Sequence, residues 1–418
     1  MPNSLDALFA FLLAGILTLL LVPLTDRLAR RLGAIDLPNE RSLHEAPTPK
    51  LGGLAILGGA VVAGLIWLPW DGETRAILVG AVLIALVGLL DDVFELDAAP
   101  KLLGQTAAVI VPVSAGVTVE SFTFPFLGAL DPASVDLVGL PWGGAVDLGD
   151  VGTVIGIVAI INVINLIDGV DGLAAGVCAI SAVALAAIAL SLERNAAGVL
   201  AALTAGASLG FLRHGFPPAK TFMGDTGSNL LGYLLGVVAV QGALKTNAVI
   251  ALFLPLIILT VPILDTGFVV AKRLKYKRPI YRADRWHFHH RMANIGFSQR
   301  RTLAYMYGWT LIMALLALAL RFVPYSDDHG HFDALWTAVL AAFGLMALAA
   351  SVYLVEVLEI LKLRRVRLRQ VAGLRREARR PVPAPADLDR AVATELETGT
   401  FPAIDPETGE FEAVEPGD

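Results

Sequence analysis

Apolar runs of about 20 residues recur along this chain, and each is long enough to cross a lipid bilayer as a helix. The composition agrees with this pattern, because 56% of the 418 residues are hydrophobic, only 17% are charged and the mean hydropathy is +0.68. The sequence therefore predicts an all-α polytopic integral membrane protein rather than a soluble domain. Eleven membrane-spanning segments are predicted, at about residues 5–24, 52–70, 74–90, 102–119, 151–167, 173–192, 197–213, 227–244, 247–271, 302–322 and 334–358.

The distribution of Lys and Arg predicts how these segments are oriented. If the N-terminus lies outside, about 28 of the 32 basic residues fall in inner loops and the C-terminal tail, and about four fall in outer loops. Basic residues are retained on the cytoplasmic side of a membrane, so this asymmetry predicts an N-out, C-in topology. The first segment lacks the basic region and the cleavage site of a signal peptide, and it is predicted to be an anchor.

Three regions are predicted along the chain. Residues 1–360 form the transmembrane domain, whose outer connection 120–150 contains the β-prone pieces "SFTFPF", "VDLVGL" and "AVDLGD", which predict a small hairpin. Residues 361–380 carry nine Lys or Arg residues and predict a basic helix along the anionic inner leaflet. Residues 381–418 are acidic, are interrupted by Pro and Gly, and are predicted to be disordered.

Four polar clusters interrupt the apolar pattern, and the predicted topology places all of them on the inner face. They are Asp91 and Asp92 in "GLLDDVFEL", Asn165, Asp168 and Asp171 in "NVINLIDGVDG", Asp225 in "TFMGDTGSN", and His287, His289 and His290 in "DRWHFHHRM". An ionised carboxylate at mid-bilayer costs about 2.5–3.5 kcal/mol on insertion scales, so such residues are seldom without a function. Their position on one face predicts a single site.

Each cluster also has a structural interpretation when it is taken alone. Asp91 and Asp92 could be solvated loop acids, and adjacent helical residues point about 100° apart, so the two are expected to differ in role. "GDTGS" is typical of a glycine-rich helix cap. "HFHH" could be an interfacial loop or a chance zinc site, although its flanking arginines favour an anion. Together, the carboxylates and the basic loop indicate a divalent cation that holds a phosphorylated substrate.

The order and spacing of these motifs resemble the polyprenyl-phosphate N-acetylhexosamine-1-phosphate transferases. The motifs are "GLLDDVFELDAAPKLLGQ", "NVINLIDGVDGLAAG", "FMGDTGSNLLG" and "DRWHFHHRM", and "DLPNERSLHEAPTPKLGG" (Asp36–Gly53) resembles the family's first inner loop. The resemblance covers about residues 5–322. It implies that a polyprenyl phosphate attacks the β-phosphorus of a UDP-N-acetylhexosamine, with UMP as the second product. It also implies Mg²⁺, or Mn²⁺, as cofactor and the bacterial inner (plasma) membrane as the location.

The resemblance further implies roles for individual residues. Two match metal ligands of the family: Asp225 and Asn165. Four match its catalytic positions: Asp91, Asp92, Asp168 and His289. Seven match residues that contact substrate: Lys101, Asp171, Phe222, Arg285, His287, His290 and His44. Within these sets, the paired acids of the third segment would act on the lipid phosphate or organise metal and water, and Asp171 and Phe222 would contact uracil.

Two branches of the family remain open. The loop "ADRWHFHHR" resembles the N-acetylglucosamine branch, whereas the muramoyl-pentapeptide branch usually carries a "PIHHHFE"-like loop. Transfer of N-acetylglucosamine-1-phosphate is therefore expected, and phospho-N-acetylmuramoyl-pentapeptide transferase is the alternative. The expected partners are a UDP-N-acetylhexosamine, a polyprenyl phosphate and the membrane, without nucleic acid, and a homodimer is left open.

Two other functional classes fit the sequence less well. A transporter predicts acids spread along a path near mid-membrane, often in repeated halves, whereas here the acids gather at one face. An intramembrane aspartyl protease would use the acids but would leave the histidine loop and the asparagines without a role.

Overall fold

The computed structural model describes residues 3–37, 47–119, 122–124, 128–139, 145–244, 249–275, 287–288, 291–292, 296–325 and 333–352. The chain divides into two compact units. One comprises Met1–Thr266 and Ser298–Val352, and the other comprises Gly267–Phe297 and Tyr353–Asp418. The predicted basic helix at 361–380 and the predicted disordered tail at 381–418 lie outside the described residues.

The described part of the chain is mainly helical. Twelve α-helices have described bounds: α1 (Ser4–Leu32), α2 (Gly53–Trp67), α3 (Gly72–Phe94), α4 (Ala98–Ser114), α5 (Leu148–Ile167), α6 (Leu173–Ser191), α7 (Asn195–Gly215), α8 (Gly224–Ala239), α9 (Val249–Ile258), α10 (Thr260–Lys275), α11 (Gln299–Phe322) and α12 (Ala334–Val352). Seven of these, α1, α3, α5, α6, α7, α11 and α12, are long and apolar enough to cross a membrane, and α2 is a shorter apolar helix. A multi-pass helical membrane protein is therefore confirmed, whereas eleven spans and the N-out, C-in topology stay predictions.

The predicted segment 247–271 is two helices rather than one. Helix α9 ends at Ile258 and α10 begins at Thr260. The cause is Pro262, because a proline inside a helix lacks the N–H donor and its ring clashes with the carbonyl four residues earlier, which here belongs to Ile258. Within the first turn of a new helix the same residue is well tolerated, since the N–H there has no helical partner.

Short strands form three antiparallel pairs. In the first, β1 (Ile35–Asp36) pairs with β2 (Thr48–Pro49). The other two lie in the connection 120–150, which is predicted to be outside the membrane: β3 (Phe122–Phe124) pairs with β4 (Gly128–Leu130), and β5 (Asp136–Gly139) pairs with β6 (Ala145–Asp147). The hairpin predicted in this connection is therefore confirmed, and the described residues contain two.

Helix α8 is the central element of the first unit. Its side chains are buried from Thr226 to Ala239, and it packs against α2, α3, α5, α6 and α7. A helix that is surrounded in this way has no outward face, which explains why apolar and small residues occur on all its sides. Beyond Ala239 the helix continues as a π-helical turn at Val240–Leu244. The position of its N-terminus is therefore set by the helices around it.

Helices α1 and α7 approach so closely that a methyl group would not fit between them. A Cβ atom placed on Gly206 would lie 2.0 Å from the carbonyl oxygen of Phe11, and one placed on Gly210 would lie 2.2 Å from the carbonyl oxygen of Gly15. Small residues four positions apart let two backbones pack directly in a membrane, where lipid and side chains are equally apolar. The glycines of α7 are therefore required for this contact.

We expect Gly206→Ala to destabilise the protein, although alanine normally favours a helix over glycine by about 1 kcal/mol. The added methyl group meets backbone and cannot be accommodated by a rotamer change, and overpacking of this kind costs about 1–3 kcal/mol. The control is Gly156→Ala in α5, where an added Cβ meets no atom within 4 Å. Thermal unfolding in detergent should show a lower midpoint for Gly206→Ala only, and equal midpoints would contradict the packing described here.

Candidate active site

The N-terminus of α8 is bound by a carboxylate from another helix. Asp92, in the last turn of α3, accepts hydrogen bonds from the backbone N–H of Asp225 (2.9 Å), the backbone N–H of Thr226 (3.0 Å) and the Thr226 hydroxyl (2.7 Å). The first N–H groups of a helix have no partner within the helix and carry partial positive charge, so a carboxylate is a favourable cap. Asp92 therefore joins α3 to the start of α8.

Glycines allow α8 to start so close to its neighbours. A Cβ atom on Gly88, one turn before Asp92, would lie 2.5 Å from the carbonyl group of Asp225. Gly224 has φ +64°, and its Cβ would lie 2.4 Å from the carbonyl oxygen of Lys50 and 2.5 Å from a carboxylate oxygen of Asp92. The glycine before Asp225 is thus required both by a left-handed backbone and by close packing.

Lys101 brings three helices together next to this cap. Its ammonium group lies in the first turn of α4, 2.7 Å from Oδ2 of Asp91 and 3.3 Å from Oδ1 of Asn165. The same group forms an ion pair with Oδ2 of Asp225. Oxygens from α3, α5 and α8 therefore converge on one cationic group at one end of the helix bundle.

Asn165 orients the Asp225 carboxylate. Its Nδ2 donates to Oδ1 of Asp225 (2.8 Å) and to the hydroxyl oxygen of Ser228 (2.9 Å). Its carbonyl oxygen is the one that faces Lys101, so the two ends of the amide have different partners. With Lys101 on one oxygen and Asn165 on the other, Asp225 is held in a single orientation.

Asp168 follows the last residue of α5, and its backbone N–H donates to the carbonyl of Asn165 (3.2 Å). Burial, together with the negative charges of Asp225, Asp92 and Asp171, raises the pKa of the Asp168 carboxyl well above its usual value. Its surroundings therefore favour the protonated form. A neutral side chain here is a poor ligand for a cation and is better suited to supporting the network around Asp225.

The loop between α7 and α8 is tied to two other segments. The backbone N–H of Phe222 donates to the carbonyl of Pro49 (2.8 Å), and the N–H of Gly52 donates to the carbonyl of Phe222 (2.9 Å). Oδ2 of Asp171 accepts from the backbone N–H of Ala219 (3.0 Å). Asp171 and Phe222, the two residues predicted to contact uracil, therefore belong to one hydrogen-bonded loop system.

The second unit contains part of the predicted histidine loop. The rings of Phe268 and Phe288 have their centroids 5.8 Å apart, and the Arg291 guanidinium lies 4.6 Å from the centroid of Phe268. His287 is buried, and its carbonyl accepts from the backbone N–H of Arg291 (3.0 Å). Four predicted site residues lie outside the described residues: His44, Arg285, His289 and His290.

The structure also shows polar contacts that the sequence motifs did not indicate. Thr226 shares the cap with Asp92, and Ser228 accepts from Asn165. Both residues follow Asp225 within "GDTGSN", so the motif indicates that polar side chains occur at these positions. Which neighbour each side chain contacts depends on the rotation of α8, and the motif does not show that rotation. Among the described residues, no group of three or more His, Cys, Asp or Glu side chains is arranged to hold a metal ion.

We expect the cap to make Asp92 more important for stability than its neighbour Asp91. An amide at position 92 would turn its NH₂ group towards one of the three donors, and each hydrogen bond to a charged group contributes about 1.5–3 kcal/mol. Asp92→Asn should therefore lower the unfolding midpoint in detergent more than Thr226→Val, which removes one bond of the three. Asp91→Asn is the matched control and should lower it least, and an equal loss in both asparagine variants would contradict this assignment.

Comparison with known proteins identifies the same family that the sequence motifs resemble. The model of the glycosyl transferase family 4 matches residues 74–243. A probable undecaprenyl-phosphate N-acetylglucosaminyl 1-phosphate transferase of Bacillus subtilis is 38% identical over 322 residues, which are 75% of this chain and 84% of the relative. A decaprenyl-phosphate N-acetylglucosaminephosphotransferase of Mycobacterium tuberculosis is 35% identical over 335 residues, 72% of this chain and 80% of the relative.

A relative from a second branch is also similar. A phospho-N-acetylmuramoyl-pentapeptide-transferase of Moorella thermoacetica is 33% identical over 333 residues, 75% of this chain and 98% of the relative. All three relatives are matched over most of their own length, and the matched core of the chain contains Asp91, Lys101, Asn165 and Asp225. The chain therefore belongs to glycosyl transferase family 4, in the group of polyprenyl-phosphate N-acetylhexosamine-1-phosphate transferases.

Proposed function

We propose that this protein transfers N-acetylglucosamine-1-phosphate from UDP-N-acetylglucosamine to a polyprenyl phosphate in a bacterial inner membrane. The observation that carries the proposal is the convergence of Asp91, Asn165 and Asp225 on Lys101 at one end of the helix bundle. A site at the end of a membrane-spanning bundle is accessible both to a water-soluble nucleotide sugar and to a lipid-borne phosphate. The predicted topology would place this end on the cytoplasmic side.

The proposed reaction exchanges one phosphorus–oxygen bond for another. An oxygen of the polyprenyl phosphate forms a bond to the β-phosphorus of the UDP-sugar, and the bond from that phosphorus to the bridging oxygen breaks. The bridging oxygen leaves with the α-phosphate as UMP, and the sugar phosphate remains on the lipid as a diphosphate. Phosphoryl transfer depends mainly on alignment and charge neutralisation, which cationic groups such as Lys101 can supply.

A divalent cation, Mg²⁺ or Mn²⁺, fits the residues that surround Lys101. Mg²⁺ binds one or two protein carboxylates and completes its octahedron with water and substrate phosphates. Asp225 and Asn165 direct one oxygen each towards the same cationic group, the Lys101 ammonium, which indicates that this position attracts positive charge. When bound there, the cation would neutralise charge on the diphosphate of the substrate. Asp225 and Asn165 would hold it, and Lys101 would turn to the phosphates.

Transfer of phospho-N-acetylmuramoyl-pentapeptide is the second candidate, since the Moorella relative shares 33% identity with this chain. Two observations favour N-acetylglucosamine. The relatives from Bacillus and Mycobacterium that are named for this sugar are 38% and 35% identical. The loop "ADRWHFHHR" (Ala283–Arg291) also lacks the three consecutive histidines that are usual in the other branch.

The nucleotide product tests the proposal directly. Purified protein should be incubated with a short polyprenyl phosphate, Mg²⁺ and one UDP-sugar at a time, including UDP-N-acetylglucosamine and UDP-N-acetylmuramoyl-pentapeptide. We expect UMP and a polyprenyl-diphosphate sugar from UDP-N-acetylglucosamine. Release of UDP instead would mean attack at the sugar carbon and would refute a phosphosugar transferase, and UMP from the pentapeptide substrate alone would select the second candidate.

Asp225→Asn should raise the Mg²⁺ requirement more than any other single change in the site. An amide has nearly the same size as a carboxylate but offers only a neutral oxygen to a cation. A loss of activity in this variant would therefore result from the missing negative charge rather than from altered packing. Loss of a main metal ligand typically removes several kcal/mol of transition-state stabilisation, which corresponds to about three decades in rate. The measurement is turnover against Mg²⁺ concentration for the parent and the variant.

The matched control for that titration is Asp168→Asn. Because its surroundings favour the protonated carboxyl, the amide should change the local charge less there. We expect slower turnover with a Mg²⁺ requirement close to that of the parent. Near-parental activity of Asp225→Asn at ordinary Mg²⁺ would refute its assignment as a ligand.

A further inference from the structure

A second polar layer lies one helical turn deeper in the same three helices. Gln105 follows Lys101 by four residues in α4, Asn229 follows Asp225 by four residues in α8, and Asn162 precedes Asn165 by three residues in α5. Residues three and four apart lie on the same face of a helix, about 4.5–6 Å apart along the axis. Lys101, Asn165 and Asp225 therefore each have an amide one turn behind them in the same helix.

The three amides contact one another. Nδ2 of Asn162 donates to Oε1 of Gln105 (2.8 Å), and Nε2 of Gln105 donates to Oδ1 of Asn229 (3.3 Å). Nδ2 of Asn162 also donates to the carbonyl of Val158 in its own helix (2.8 Å). Gln105 and Asn229 are fully buried. We call Gln105, Asn162 and Asn229 the amide layer.

Within the described part of the chain, the amide layer contains a buried donor without a hydrogen-bond partner, which is Nδ2 of Asn229. Burial of an unpaired donor costs free energy, and apolar side chains of similar size would avoid that cost. Apolar contacts, however, tolerate small rotations and shifts of one helix against another, whereas hydrogen bonds between amides fix direction and register. Amides at these positions therefore fix the helices more precisely against one another, at some cost in the stability of the fold.

We propose that Gln105, Asn162 and Asn229 are positioning residues that fix α4, α5 and α8 relative to one another and so set the geometry of Lys101, Asn165 and Asp225. The proposal rests on the proposed function and deepens it. Neutral amides suit the task because they add directional bonds without adding a charge that would compete for Lys101, for a cation or for phosphate. Such residues touch neither substrate, and they act through the residues one turn above them.

The first test separates positioning from packing. Gln105→Leu keeps the side-chain volume approximately and removes both hydrogen bonds, whereas Val109→Ala, one turn further along α4, removes buried apolar volume and no polar contact. A misplacement of about 1 Å can reduce a rate about 100-fold. We expect Gln105→Leu to lower kcat ten- to hundredfold with KM for UDP-N-acetylglucosamine changed less than threefold. Val109→Ala should lower the unfolding midpoint and leave kcat within about twofold of the parent.

The second test uses the contact between α4 and α5. Asn162→Leu should also lower kcat, and the double variant should lose no more than Gln105→Leu alone, because both changes break the hydrogen bond between Asn162 and Gln105. Asn162→Gln retains an amide donor and should recover most of the lost rate. If Gln105→Leu or Asn162→Leu folds poorly, the other variant still tests the hydrogen bond between the two residues. Asn162→Gln tests rescue of the rate, and Val109→Ala tests loss of packing.

The outcomes distinguish this inference from the proposed function. A parent protein that releases no UMP with any UDP-sugar would overturn the proposed function and this inference with it. An active parent with parental kcat in Gln105→Leu, or with equal kcat losses in Gln105→Leu and Val109→Ala, would overturn the inference alone. Independent, multiplicative losses in the double variant would likewise show that the amides do not act as one layer.

Discussion

The hydrogen bonds from the start of α8 to the Asp92 carboxylate are the contact on which the rest of the site depends. Helix α8 begins inside a bundle, where its first N–H groups have little access to water and must be paired within the protein. Asp92 pairs two of them and the Thr226 hydroxyl. Because this carboxylate comes from α3, it fixes the start of α8 against another helix and brings Asp225 within reach of Lys101.

The same contact separates the roles of two adjacent acids. Asp91 and Asp92 differ by about 100° around α3, so that one carboxylate faces α8 while the other faces Lys101 in α4. Helix geometry alone predicted that their roles differ. Which acid faces which neighbour depends on the rotation of α3 within the bundle, and this rotation follows from close contacts such as that of Gly88 with Asp225. The sequence motif alone does not show the rotation of α3.

The sequence predicted helix positions better than it predicted contacts, for a physical reason. The length of an apolar run is a local property, so nine of the eleven predicted segments each overlap one described helix, although segment 334–358 extends beyond the described residues. The exceptions are segment 227–244, which ends in a π-helical turn, and segment 247–271, which is interrupted before Pro262. The interruption could have been predicted from this proline in the sequence. The pairing of Phe222 with Pro49 joins residues far apart in the chain, and no local pattern indicates it. The roles of the individual site residues stay predictions.

The order of polar groups along the helices follows the cost of burying them. Charged groups are the most expensive to remove from water, and neutral amides are less so. Asp91, Lys101 and Asp225 accordingly lie in the last or first turn of their helices, whereas Gln105 and Asn229 lie one turn inside. A charged site with an amide layer behind it can therefore combine access for soluble and lipid-borne phosphates with a fixed helix arrangement. The reverse order would bury charge without giving substrate access to it.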